Sequence, residues 1–113
     1  MTPLELAEKY MDCVFNTGDL ETLRKILSDD LKFSGPFFKF NSAEDYVNSL
    51  RNDPPDGFEY EIKKRYADNS STCLCYQFSK PGVSTSMAQI FETSNGKISS
   101  ILLIFDSAVF RPD

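Results

Sequence analysis

The side chains able to move protons in this chain are carboxylates, tyrosines, lysines and cysteines, because its 113 residues include no histidine. Ser-His-Asp and Cys-His catalysis both need an imidazole and are excluded. Among the acids, Asp106 stands out because it follows the apolar run Ile101-Leu102-Leu103-Ile104-Phe105. At the mouth of an apolar cavity its pKa would rise toward the range useful for acid/base work. A solvated strand end, or an ion pair with Lys32 or Arg111, accounts for the same residue without chemistry. Tyr10, Tyr46, Tyr60 and Tyr66 each carry a hydroxyl that can aim inward, although tyrosines so placed also serve as core residues with a satisfied tip. Lys64 stands on an otherwise apolar strand face, as a desolvated base or as a stem whose ammonium reaches water. Gln77 and Gln89 are mid-strand amides suited to orienting a ligand carbonyl or to bonding across strands.

The three cysteines add little chemistry. Cys73 and Cys75 are two apart in an expected strand, share a face and cannot easily bridge each other. A lone Cys-x-Cys without histidine is a poor zinc site, so no metal and no cofactor are expected. Cys13 has no basic neighbour in sequence to activate its thiol. The net charge of −5 comes from scattered acids, which speaks against nucleic acid, since that partner needs clustered Lys and Arg. No apolar run is long enough to span a bilayer, so no membrane partner is expected. The first twenty residues place Glu5, Glu8, Lys9, Asp12 and Asp19 at helical spacing and lack the apolar core of a signal peptide, so a cytoplasmic protein is expected.

The elements that must position these groups are readable in order. An apolar fraction of 41% and a charged fraction of 26% suit one globular domain over 1–113. Thr2-Pro3-Leu4-Glu5 is a capping box with proline at the first helical position. The stripe Leu4, Ala7, Met11 and Val14 carries that helix to Thr17-Gly18. Asp19 caps a second helix with Leu20, Leu23, Ile26 and Leu27 on one side. Two short extended pieces, Leu31 to Ser34 and Phe37 to Phe40, flank Gly35-Pro36. Ser42 opens a third helix with Tyr46, Val47 and Leu50 inward, and Asn52-Asp53-Pro54-Pro55 ends it. Phe58, Tyr60, Ile62, Lys64 and Tyr66 then alternate with charged residues, as in a strand with one wet face. Turns at Asp68-Asn69-Ser70, Pro81-Gly82 and Asn95-Gly96 separate it from three more strands, roughly Thr72 to Ser79, Ser84 to Thr93 and Lys97 to Ser107.

Three helices followed by long antiparallel strands predict the α+β class, with the helices packed on a strongly curved, mostly antiparallel sheet that forms a cone. The last strand is apolar on both faces. One face meets the helices, and a second copy across a two-fold axis covers the other, giving a homodimer. The alternative cover is the tail, with Phe110 folding back over the strand.

Gly18-Asp19 between two helices, Asp29-Asp30 at a strand start, Pro36 six residues later and Gly96-Lys97-Ile98 leading to Phe105-Asp106 resemble the nuclear-transport-factor-two-like, or SnoaL-like, family over nearly the whole chain. The resemblance implies a cystatin-like cone and a range of activities, including ketosteroid isomerases, polyketide cyclases, dehydratases and epoxide hydrolases beside members that only bind. Fold therefore does not select function. The position that carries the general base in ketosteroid isomerases is Gly35 here. Their oxyanion-binding tyrosine, counted back from Gly18-Asp19, falls on Met11, with Tyr10 one residue out of register and so turned by about 100°. Their protonated aspartate falls near Met87 or Ala88. The ketosteroid mechanism is therefore not expected.

The expected function is binding of a small, largely apolar molecule in each cone, with isomerase, cyclase or dehydratase chemistry as the enzymatic version. Phe33, Phe37, Phe40, Tyr46, Tyr66 and Gln89 are the expected ligand-binding residues, with Phe38 in the same aromatic lining. Asp106 is the expected acid/base and Tyr10 or Tyr46 the donor. The competing class is a non-catalytic interaction or dimerisation domain that uses the outer sheet or an aromatic groove around Phe37 to Phe40.

Overall fold

The computed structural model describes residues 1–110. Helix α1, Pro3–Met11, opens with the expected capping box. Glu5 N–H donates to the Thr2 hydroxyl at 3.1 Å, and Thr2 N–H donates to the Glu5 carboxylate at 2.9 Å, so two otherwise orphaned donors are satisfied. The helix then changes character. Asp12–Thr17 is a π-helical segment, ended by Gly18 at φ +68°. Helix α2, Leu20–Ile26, begins on Asp19, whose carboxylate accepts from Thr22 N–H at 3.0 Å. Helix α3, Ala43–Asn52, begins on Ser42.

Six strands among the described residues form one sheet: β1 Leu27–Ser34, β2 Lys39–Phe40, β3 Glu59–Ala67, β4 Ser71–Lys80, β5 Val83–Ser94 and β6 Lys97–Ile104. Their order is β2-β1-β6-β5-β4-β3. Neighbours run antiparallel except β1 and β6, which run parallel. The β5–β6 hairpin turns on Asn95 and Gly96, both at positive φ, as a tight two-residue turn requires. Register breaks in β1–β6, in β3–β4 between Ile62 and Lys64, and in β5–β6 between Glu92 and Thr93 bend the sheet, because an extra residue on one strand increases local twist. The α+β class and the curved, unclosed sheet are as expected.

Three boundaries differ from the sequence reading, the first being that only Lys39–Phe40 of the piece expected over Phe37 to Phe40 is strand. Leu27 already belongs to β1, its N–H bonded back to Arg24 O, because the chain turns into the sheet without a loop. The last strand stops at Ile104, and Ser107–Phe110 forms a 3-10 helix. That helix carries the Phe110 ring to the cavity side, against Phe37, Phe78 and Phe105. Phe110 therefore does not cover the outer face, where Leu102 and Ile104 are 41% and 48% exposed.

The core lies between helices and sheet. β4 alternates strictly, with Thr72, Leu74, Tyr76 and Phe78 buried. Across from them β5 buries Met87, Gln89 and Phe91. Leu6, Ala7, Tyr10 and Met11 of α1 close over these side chains.

Candidate functional site

The open end of the cone is a cavity of about 470 Å³, within the range of small-molecule sites. Its walls are aromatic and aliphatic, with Phe33 from β1, Phe37 and Phe38 from the loop after Gly35, Met87 from β5 and Leu103 from β6 among them. Polar groups gather at the floor. Tyr10 from α1, Tyr46 from α3, Tyr76 from β4 and Gln89 from β5 all reach the cavity lining while staying at most 4% exposed.

These four side chains form two hydrogen-bonded pairs that adjoin where Gln89 meets Tyr10. The Tyr10 and Tyr46 hydroxyls bond to each other. Tyr76 O–H donates to the Gln89 carbonyl oxygen at 2.8 Å, which leaves the Gln89 amide N–H groups as donors toward Tyr10. Packing fixes the rings: Tyr46 stacks on Phe33 with centroids 4.8 Å apart, and Tyr10 meets Phe91 edge-on at 5.1 Å. Burial pushes the Tyr10 phenol up to about 12, and hydrogen bonds from Tyr46 and Gln89 restrain the rise. Burial, reinforced by neighbouring Tyr10, carries Tyr46 and Tyr76 well above the ordinary phenol range. All three are therefore neutral donors near neutrality. The Tyr10–Tyr46 bond uses one of two hydroxyl protons, so whichever phenol donates within the pair, one O–H remains for a ligand oxygen. Few other groups compete for that oxygen in the apolar surroundings, and a hydrogen bond there is electrostatically stronger than in water.

The π-helical segment explains how Tyr10 reaches this floor. The count back from Gly18 that the family resemblance implies falls on Met11, one residue and about 100° from Tyr10 on an uninterrupted α-helix. The wider π turn accommodates one extra residue between Tyr10 and Gly18. Tyr10 thereby faces the cavity, and Met11, fully buried, does not line it.

Of the residues singled out in the sequence, Tyr10, Phe33, Phe37, Phe40, Tyr46 and Gln89 come together in the lining. Tyr66 and Asp106 do not. Tyr66 is 59% exposed and pairs with Cys73 on the outer face. The register break between Ile62 and Lys64 inverts the alternation of β3, so Tyr60 and Ile62 stay on the inner side while Lys64 and Tyr66 leave it. Arg65, in exchange, turns toward α1 and meets the Glu8 carboxylate at 3.3 Å. Asp106 lies beyond the end of β6 and is exposed. Its carboxylate accepts from Ala108 N–H at 3.0 Å and so opens the 3-10 helix. Lys32 donates instead to Asn41 O, and Arg111 lies outside the described residues. Gln77 faces outward and bonds Ser84 and Ser86 across the strand pair. Burial pushes the Cys13 thiol up, away from reactivity.

Gly35 also lines the cavity, so its position carries no side-chain base. Two charged lining residues escaped the sequence reading. Asp53 figures there only in the stop of α3, and Lys80 is not singled out there at all; both stand at the mouth. Asp53 sits in the loop that precedes Phe58, and Lys80 ends β4 at the turn whose Pro81 approaches Gly57.

The model of one protein family, SnoaL-like domain, matches residues 7–101. No curated protein matches the chain. Among solved structures, an NTF2-like protein of unknown function from Cytophaga hutchinsonii superposes with a TM-score of 0.83 at 22% identity, covering 98% of this chain and 96% of that one. An LEH-like epoxide hydrolase from M. tuberculosis gives 0.81 at 21%, covering 95% and 84%. A de novo designed protein with a curved β-sheet gives 0.73 at 22%, covering 96% and 90%. At such identities these likenesses concern the fold.

Proposed function

The chain belongs to the SnoaL-like domain family, and on that premise we propose that it binds one small, largely apolar molecule in its cone, with an oxygen of that molecule held by the Tyr10–Tyr46 pair. The observation that carries this reading is a buried set of neutral phenols at the floor of an otherwise apolar cavity, with one hydroxyl proton uncommitted. A buried donor without a partner is costly, so the floor favours a carbonyl or hydroxyl oxygen over plain hydrocarbon.

The same floor suits isomerase, cyclase or dehydratase chemistry, in which an enolate oxygen gains negative charge in the transition state. Such a reaction also needs a proton acceptor. Asp53 is the one carboxylate among the described lining residues, and it replaces Asp106 as the residue to substitute first once a turnover is found.

Binding is tested with the neutral fluorophore N-phenylnaphthylamine. The reading expects one site per chain, lost when Met87→Trp fills the cavity without lowering the melting temperature. Uptake that survives Met87→Trp would place the dye elsewhere and overturn the reading.

A second reading, dimerisation, rests on a separate observation. On the outer sheet face Tyr66, Cys73, Ile90 and Leu102 form one cross-strand row, and Lys64, Cys75, Ala88 and Ile104 form the next. Over β4, β5 and β6 these rows carry no charge, Lys64 standing on the edge strand, and that strip is suited to a second copy of itself. Sedimentation velocity is the test, and a monomer at high concentration would refute it. A cytoplasmic location belongs to the same proposal, supported by three unbridged cysteines.

A further inference from the structure

One charged side chain at the cavity mouth rests on aromatic rings and has no ionic partner among the described residues. Lys80, the last residue of β4, holds its ammonium 5.6 Å from the Phe58 ring centroid and 5.2 Å from that of Phe110. Both rings lean on Phe78, at 5.1 and 5.9 Å, so the cation rests on a packed aromatic base. None of the ion pairs among the described residues involves Lys80. Ring faces attract the cation but give it no counter-charge, and they displace part of its water. An anion arriving from the cavity side therefore meets a partly desolvated positive charge. Asp53 also lies at the mouth, but it occupies the exposed end of α3, where water solvates it.

We propose that the ligand is an apolar acid, whose anionic group pairs with Lys80 at the mouth while its body lies between the phenylalanines and its other oxygen faces Tyr10 and Tyr46. The inference rests on the binding reading above and narrows it to a chemical class. It also gives the ligand a direction: the anionic end stays near solvent, where its desolvation costs little, and the neutral oxygen goes to the buried floor, where a charge would be expensive.

Two probes of one skeleton test it. Anilinonaphthalene sulfonate is anionic, and N-phenylnaphthylamine is its neutral counterpart. Affinities of both are measured for the wild type and for Lys80→Gln, with the anionic dye required to displace the neutral one so that only cavity binding counts. The expected result is that Lys80→Gln weakens the anionic probe by roughly five- to tenfold, the scale of one partly exposed charge pair, and leaves the neutral probe within twofold. Equal affinities unaffected by Lys80→Gln would overturn the acid assignment while leaving the cavity reading intact. Failure of the neutral probe to bind at all would overturn the cavity reading itself. Lys80→Arg, which keeps the charge, restores affinity for the anion if charge is the cause, and failure of that rescue would count against the pairing.

Discussion

Raising the pH should unfold this protein through its buried phenols. Tyr10, Tyr46 and Tyr76 are at most 4% exposed, and burial raises the pKa of each in the folded state. A raised folded pKa contributes stability that is fully present below the unfolded value of 10.0 and is lost as pH climbs through the folded value. Above pH 10 the unfolded chain has released protons that the native state retains. Each such proton subtracts about 1.4 kcal/mol per pH unit, so three phenols together remove about 4 kcal/mol per unit at first. For Tyr10 alone, the interval from 10.0 to about 12 corresponds to roughly 3 kcal/mol. Against a typical domain stability of 5–15 kcal/mol, cooperative unfolding is expected between roughly pH 11 and 12.5. The assay is parallel far-ultraviolet circular dichroism and phenolate absorbance. The last part of the absorbance rise should coincide with loss of the circular dichroism signal. Complete ionisation of all five tyrosines near pH 10, with the dichroism unchanged, would show that the phenols are open to water and would refute the reasoning.

Three further outcomes follow from the geometry. Tyr10→Phe leaves the Tyr46 hydroxyl and the Gln89 amide short of a partner, so chemical denaturation should report a loss of about 1–3 kcal/mol. Deleting Asn16, an exposed residue of the π-helical segment, should return the turn to α geometry and rotate Tyr10 off the floor by about 100°; N-phenylnaphthylamine uptake should fall while the far-ultraviolet spectrum stays helical. Leu102→Glu puts a charge in the outer apolar strip, and should leave a folded monomer in sedimentation velocity, whereas Asp106→Asn should leave dye affinity within twofold because Asp106 does not line the cavity.

Much of the fold is written locally. Thr2, Asp19 and Ser42 each begin a helix by accepting the backbone N–H expected of a cap. The strict alternation of Leu74, Tyr76 and Phe78 with Cys73, Cys75 and Gln77 assigns the two faces of β4 before any coordinates exist. The placement of Gln89 between Met87 and Phe91, all buried, follows from the same period of two. What escapes the sequence is one-residue geometry. The register break that sends Tyr66 outward is masked because a strict period of two keeps Tyr66 in phase with Tyr60 and Ile62; the one local trace of it is the run Lys63-Lys64-Arg65, three charged residues that interrupt the alternation. The π-helical turn is silent for a related reason: Asp12–Thr17 keeps a helix-like apolar pattern while changing its pitch. Asp53 and Lys80 were hidden because turn residues are read for what they stop, and here the turns also rim the cavity.

The measurement that bears most directly on the floor of this cavity is a comparison of acetylnaphthalene with ethylnaphthalene, which differ essentially in the carbonyl oxygen, by displacement of N-phenylnaphthylamine. The uncommitted hydroxyl proton at Tyr10 and Tyr46 predicts that the ketone binds the wild type roughly tenfold tighter, and that the preference disappears when both Tyr10→Phe and Tyr46→Phe are present. Equal binding of the two to the wild type, or a preference that survives the double substitution, would contradict the claim that these phenols receive a ligand oxygen.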